Sequence, residues 1–305
     1  MLRRLLFILV AAVTLLPAGA GAAKKLNIVT TIPDLADMTR RIAGDLAEVT
    51  SIATGVEDIH AVPIKPRTAI LLNRADAVVL MGLEAEHAFL PALLEASRNP
   101  KIQRDTAGYI DASVYVPVLE VPTRLDRSLG DQHPMGNPHI NLDPVRARSM
   151  VRAISDGLSR IAPEHAATFQ RNAAAYTQEL DAAIARWQQE AAPLKGKKIV
   201  SYHPDLIYFA ERFGMEAFGT IEIRPGIDPT PSHVADLIER MRQAKVEIVV
   251  RERHYPAGLA ETVAKATGAK LVELPAMAGG LPETKTYIGF IDYNVRTLVK
   301  AVTGG

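Results

Sequence analysis

The sequence predicts an α/β protein of two lobes, each a small parallel sheet flanked by helices, joined by one long helix. Three observations point there. Short β-branched runs alternate with amphipathic stretches near both ends of the chain, the pattern of strand–helix units on a parallel sheet. Between them lies a stretch without strand signals, in which apolar residues recur at steps of three and four. And 305 residues are more than one hydrophobic core ordinarily serves.

Taken in order, residues 26–31 (LNIVTT) read as a strand and 32–45 as a helix. Residues 47–54 (AEVTSIAT) give a second strand, 68–75 a helix, 77–81 (AVVLM) a buried strand and 86–98 a helix. Asp143-Pro144 then opens a helix whose apolar face is Val151, Ile154, Leu158 and Ile161. Pro163 starts a second, longer one carrying Phe169, Ala173, Tyr176, Leu180, Ile184 and Trp187, and Pro193 and Gly196 stop it. A helix of nearly thirty residues is about 45 Å long, enough to run along a whole molecule. The alternation resumes with strands at 198–202 (KIVSY), 247–251 (EIVVR) and 271–274 (LVEL) and helices at 205–213, 232–244 and 257–268. The expected division is a leader at 1–23, an N-terminal lobe at 24–162, the linking helix at 163–192 and a C-terminal lobe at 193–305.

The leader has its own logic. Arg3 and Arg4 precede an apolar run ending at Leu16, Pro17 breaks it, and small residues follow to Ala23. That is a secretory signal peptide, with an exported, soluble chain beginning near Lys24. The chain has no Cys. Disulfides, thiolate metal sites and a lipid-bearing cysteine are therefore excluded, and the expected address is the periplasm, not as a lipoprotein. Basic and acidic side chains number 35 and 34. That balance argues against nucleic acid as a partner.

Without thiolates, a metal would be held by His, Asp or Glu. Of eight His, His165, His233 and His254 read as surface residues, and His87 as core or surface. Three others share one kind of place. His60 follows the second strand, His203 directly follows KKIVSY, and His139 lies in the Gly-, Pro- and Asn-rich loop before the long helices (GDQHPMGNPHINLDP, 130–144). Ligands of open parallel sheets bind outside the carboxyl ends of the strands. Imidazoles drawn there from both halves, with no thiolate, suit zinc or another borderline cation.

These residues carry a resemblance. NPHINLDP resembles the DPHxWLDP signature of the periplasmic metal-binding proteins of zinc and manganese ABC transporters, the ZnuA/TroA-like family. EDIHAVPIKP resembles that family's first ligand segment, KKIVSYHPDLIYFAERFGM its third, and DPTPSHVADLIERMRQAKVEIVV its C-terminal lobe. The resemblance spans the whole exported chain. It implies a metal clamped between two lobes that a rigid helix joins, with His60, His139 and His203 as ligands. It also implies a membrane permease with its ATPase as partner, a monomeric binding protein, and no enzymatic turnover.

Two departures shape the expected site. The family's fourth ligand is an Asp near the C-terminus, as in DSYxxMxxYN. Here the matching stretch is KTYIGFIDYN, so Lys285 occupies the Asp position. The fourth position then falls to water, Glu252, Glu222 or His133, with Asp205 a weaker candidate. The His-rich loop of zinc-type members is short here, and His133 is its only histidine; it reads as a loop residue, or else as a ligand at the port of access. Three neutral imidazoles without a carboxylate favour Zn²⁺ over Mn²⁺. Two alternatives stand beside uptake: a periplasmic zinc chaperone or buffer serving another protein, and a His₃-zinc hydrolase with Glu252 as base. No HExxH or nucleophile elbow supports the last.

Overall fold

The computed structural model describes residues 24–124, 133–223 and 226–304. The expected signal peptide at 1–23 lies outside the described residues.

The first sheet contains β1 (Leu26–Thr30), β2 (Ala47–Ser51), β3 (Ala77–Leu80) and β4 (Tyr109–Asp111), all parallel, in the order β2-β1-β3-β4. Helices α1 (Pro33–Ala43), α2 (Pro66–Asn73) and α3 (Leu90–Ser97) connect them. The second sheet repeats the plan with β5 (Lys198–Ser201), β6 (Glu216–Thr220), β7 (Ile248–Glu252) and β8 (Lys270–Leu274), in the order β6-β5-β7-β8. Its connecting helices are α6 (Ile207–Phe213), α7 (Pro231–Ala244) and α8 (Ala257–Thr267). In each sheet the chain builds to one side of its first strand and then crosses to the other. That reversal leaves a crevice at the carboxyl ends of β1 and β3 in one lobe, and of β5 and β7 in the other.

Between the sheets run α4 (Pro144–Ile161) and α5 (Ala166–Glu190). Asp143 caps α4 by accepting the Val145 N–H, and Pro144 takes the first position, where no N–H is needed. The expected long helix is real but shorter than its apolar stripe suggested. Its helical part has 25 residues, about 38 Å, between short 3₁₀ turns at Pro163–His165 and Ala192–Leu194. The two prolines explain the difference, because each replaces an α-helical turn by a tighter one. Phe169, Ala173, Tyr176, Leu180, Ile184 and Trp187 are all buried. Each large apolar side chain among them gains roughly 1.5–3 kcal/mol from burial.

Helix α5 packs on α1, on α4 and on a last helix, α9 (Tyr287–Thr303), which itself lies on β8. The Trp187 indole N–H donates to Asp292 Oδ1 of α9 at 3.1 Å. One apolar core therefore runs without a break through both lobes, and a smaller one covers the outer face of the second sheet. Strand alternation assigns residues between them: Ile248 and Val250 face the large core, Val249 the small one.

A second tie lies where two backbones pass close together. The segment after β8 lies against the N-terminal lobe so closely that a Cβ at Gly55 would meet the Ala278 carbonyl oxygen at 2.2 Å, and one at Gly280 the Gly55 oxygen at 2.6 Å. Buried Asp34 of α1 accepts the Ala278 N–H (3.0 Å) and the Asn141 amide (3.2 Å).

Candidate metal centre

Each of the three sequence-predicted histidines is aimed by a polar residue two positions before it. Asp58 Oδ1 accepts the His60 backbone N–H (2.8 Å), Asn137 Oδ1 accepts that of His139 (3.1 Å), and Ser201 Oγ donates to the His203 carbonyl (2.6 Å). Local side-chain-to-backbone hydrogen bonds of this kind, Asx turns in the first two cases, fix the backbone from which a side chain leaves. The second loop is fixed further by the Asn137 amide, which donates to the Pro204 carbonyl of the other lobe (2.8 Å), and by the Tyr208 hydroxyl, which donates to the Asn137 carbonyl (2.6 Å).

The rings are then oriented through one nitrogen each. His60 Nδ1 lies 3.2 Å from the Ala85 carbonyl oxygen, His139 Nδ1 2.9 Å from Asn137 Oδ1, and His203 Nδ1 2.7 Å from Glu222 Oε2. All three partners are acceptors, so each Nδ1 carries the proton and each Nε2 keeps its lone pair. One nitrogen of each ring lies within 4.8 Å of the others, and His60 Nε2 is 3.1 Å from His139 Nε2. Two lone pairs at that distance repel unless a cation or a proton lies between them. Nitrogens bound 2.05 Å from a tetrahedral ion stand about 3.3 Å apart, and their ring centroids about 5.2 Å. The observed centroid separations are 5.1 Å for His60–His139, 5.4 Å for His60–His203 and 5.1 Å for His139–His203.

Burial sets the charge states. It pulls His60 down to about 3, the His203 and His133 rings adding to the effect against the Asp58 carboxylate. Burial likewise holds His139 well below its ordinary value. For His203 burial acts in the same direction, but the Glu222 hydrogen bond and the charges of Asp205, Glu222 and Asp58 outweigh it and raise the ring.

No carboxylate or fourth imidazole joins the three nitrogens among the described residues. The candidates for the fourth position stand at different places around the trio. Glu222 is committed to His203 Nδ1 and stands behind the ring, not in front of it. Glu252 and Asp205 are buried side by side. Burial raises both acids, Asp205 to about 6 and Glu252 well above the usual carboxylate range, which disfavours the charged form that a carboxylate ligand needs. His133 lies against the outer side of His60, with centroids 4.9 Å apart. Lys285 is exposed, beyond a short turn at Pro282–Thr284, and does not line the cavity. The C-terminal residues that do face the histidines are Ala276 and Met277, which line a small cavity with Asp58, His139, His203, Asp205, His254 and Tyr255. His254 is thus half-buried at the site, not a surface residue.

A family model described as "ZnuA: Zinc-uptake complex component A periplasmic" matches residues 28–301. The chain belongs to this family. It is a family of solute-binding proteins, not of enzymes. Among ZnuA-family relatives, the chain is 27% identical over 280 residues to the zinc-binding lipoprotein AdcA of Streptococcus pneumoniae, covering 90% of this chain and 55% of that protein. The chain therefore spans about half the length of AdcA. It is 27% identical over 286 residues to the iron-binding protein YfeA of Yersinia pestis, covering 92% and 88% of the two chains. A crystal structure of ZnuA superposes with a TM-score of 0.76 at 24% identity, covering 92% of this chain and all of that one. The Mn-bound periplasmic metal-binding protein of Candidatus Liberibacter asiaticus gives 0.74 at 21%, with the same coverage. At these identities the structural likeness establishes the two-lobed ZnuA fold.

Proposed function

We propose that this chain is a periplasmic Zn²⁺-binding protein of an ABC uptake system, holding the ion between its lobes on His60, His139 and His203 and passing it to a membrane permease driven by an ATPase. The observation that carries the reading is the convergence of three lone-paired nitrogens whose opposite ring nitrogens are all tied to oxygen. Outer partners of this kind orient metal-binding imidazoles and raise their basicity. Three neutral nitrogen donors suit Zn²⁺, and the lack of a carboxylate at short range among the described residues disfavours Mn²⁺, which prefers oxygen. Water completes the coordination.

The lobes supply the ligands unequally: His60 and His139 come from the N-terminal half and His203 from the C-terminal half. A permease that shifts the lobes slightly would part His203 from the other two and weaken the hold. The continuous core and long α5 favour small displacements over wide opening. Export by cleavage at residues 1–23 and action as a free monomer belong to the same reading. A chain without Cys lacks the thiol that carries the lipid of a lipoprotein such as AdcA.

Metal-free protein titrated with Zn²⁺ and Mn²⁺ in competition tests the reading. The expected result is one tight Zn²⁺ equivalent, abolished in His139→Ala. A preference for Mn²⁺, or tight binding that survives His139→Ala, overturns it.

A further inference from the structure

The loop that carries His139 belongs to the N-terminal half, yet it is held from the other lobe. The hold comes from α6, the helix that begins three residues beyond His203 with Ile207. Tyr208 and Arg212 stand four residues apart on α6, so one face of the helix presents both. The Tyr208 hydroxyl bridges the two arms of the loop: it accepts the Leu119 N–H (3.0 Å) and donates to the Asn137 carbonyl (2.6 Å). The arms are also paired directly, the Asn137 N–H donating to the Leu119 carbonyl (2.9 Å). One turn further along α6, the Arg212 guanidinium donates twice to Asp143 at the end of the same loop, to Oδ1 (2.7 Å) and to Oδ2 (2.9 Å). His139 lies between the two anchors, two residues after Asn137 and four before Asp143. We propose that Tyr208 and Arg212 are positioning residues for the bound ion: acting from the side of His203 they hold His139 in place, and the strength of that hold sets how long the ion stays. This rests on the reading of His60, His139 and His203 as the metal site.

The anchors are built to resist displacement. Asp143 is fully buried, and a buried charge needs partners. It has two, Arg212 across the lobes and Arg146 on its own helix. Two parallel charge-assisted bonds from one guanidinium fix an angle as well as a distance. Arg146 closes the arrangement. It donates to the Pro117 carbonyl (2.8 Å), pairs with Glu211 of α6 (2.9 Å) and places its guanidinium over the Tyr208 ring, 4.6 Å from the centroid.

Both anchors end within four residues of one ligand and start on the helix whose leading segment carries another. A movement that parts His203 from His139 must therefore stretch these bonds. Loss of one partner from a buried, hydrogen-bonded charge pair acts mainly on dissociation. Neither Tyr208 nor Arg212 lines the cavity shared by His139 and His203, so an arriving ion does not meet them. The clamp accordingly lengthens residence and leaves the rate of arrival alone.

The test is stopped-flow kinetics of Zn²⁺ binding to metal-free protein and of Zn²⁺ release to excess chelator. The proteins are wild type, Tyr208→Phe, Arg212→Met, Arg212→Lys and Trp187→Phe. Tyr208→Phe keeps the buried ring and drops only the hydroxyl. Arg212→Met leaves Asp143 paired with Arg146 and still capping α4, so no buried charge is stranded. Trp187→Phe breaks a buried contact between α5 and α9, away from the clamp, and measures general loosening. Release should be about 10–100-fold faster in Tyr208→Phe and in Arg212→Met, with association unchanged. Arg212→Lys should return part of the way to wild type, because it restores the charge without the fork. Trp187→Phe should lower the thermal midpoint and release Zn²⁺ at the wild-type rate. The proposal is overturned if release is unchanged in Tyr208→Phe or in Arg212→Met, if association changes as much as release, or if Trp187→Phe speeds release equally. Wild type without a tight Zn²⁺ equivalent, or one that survives His139→Ala, would instead overturn the metal-site reading, so the two fail separately.

Discussion

His60 and His203 reach the crevice from different places, His60 from the loop after edge strand β2 and His203 directly after central strand β5, and they are held by different chemistry. His60 leans on a backbone carbonyl, that of Ala85, and burial drives its affinity for protons down. His203 leans on a carboxylate, Glu222, and takes a proton more readily than a free imidazole in spite of its burial. The N-terminal lobe thus gives the proposed site an imidazole that burial keeps neutral at physiological pH. The C-terminal lobe supplies one at which a proton competes with the metal more strongly than at a free imidazole. Any pH sensitivity of metal release therefore belongs to the C-terminal side of the site.

The most severe way to break the comparison is to remove a ligand from either lobe. His60→Ala, His139→Ala and His203→Ala should each weaken Zn²⁺ by more than about 100-fold, above the range seen when only a residue behind a ligand is lost. Competition with a chromophoric chelator measures it. If only one lobe's histidine mattered, the idea of a site shared between lobes would be wrong.

Glu222 tests the asymmetry itself. Glu222→Ala should cost about 10–100-fold in Zn²⁺ affinity, and Glu222→Gln less, because the amide oxygen still accepts the Nδ1–H. The Gln variant also removes the charge that raises His203. Zn²⁺ binding by wild type should strengthen as pH rises above 6.5, while Glu222→Gln should reach its plateau at lower pH. Superimposable pH profiles would remove Glu222 from the account.

The metal-free protein should show the same contrast in its stability, with a smaller effect. His60 goes from 6.5 when unfolded to about 3 when folded. Between those values the unfolded chain binds the extra proton, so stability is full above pH 6.5 and falls as pH drops toward 3. His139 acts in the same sense. For His203 the sign reverses: its folded form holds the proton better, so its contribution is present below pH 6.5 and is lost as pH rises through its higher folded value. Thermal midpoints of His60→Gln should therefore decline less steeply than wild type from pH 6.5 to 4, and those of His203→Gln should be flatter above pH 6.5. Parallel curves for all three proteins would show that neither ring titrates as its surroundings require.

How much of this was legible in the sequence depended on whether a signal was local. Helix α5 was readable because one apolar stripe at steps of three and four runs its whole length. The same spacing was present in α9, where Tyr287, Phe290, Ile291, Asn294, Val295 and Leu298 are all buried, and it could have been found. Strands β4 and β6 could not. The first has three residues. The second is a sheet edge of exposed or half-buried positions (EAFGT), so no alternation marks it. At the site, His60, His139 and His203 stood out by residue type and by place in the chain. The residues that aim them did not. Asp58, Asn137 and Ser201 each stand two before a histidine, a repeated local pattern that gains meaning only once the three loops meet. The pairing of His203 with Glu222 depends on how β5 and β6 run side by side, which local patterns do not reveal.

Lys285 gives the smallest expected effect and the sharpest check on the C-terminal side of the comparison. Reading along the chain put it in place of a metal-binding Asp. In three dimensions it is exposed beyond the turn at Pro282–Thr284, while Ala276 and Met277 face the histidines. Changes of charge at exposed positions usually alter free energies by no more than about 0.5 kcal/mol, roughly a twofold change in affinity. Lys285→Asp should therefore bind Zn²⁺ within about twofold of wild type. Ala276→Asp should behave differently, because it places a carboxylate on the cavity wall shared with His139 and His203, and an oxygen donor there favours harder cations. Its Mn²⁺ affinity, relative to Zn²⁺, should rise. If Lys285→Asp instead produced that shift, the segment after β8 would have to approach the metal in a different register, and the carboxylate-free trio would not be the site that the protein uses.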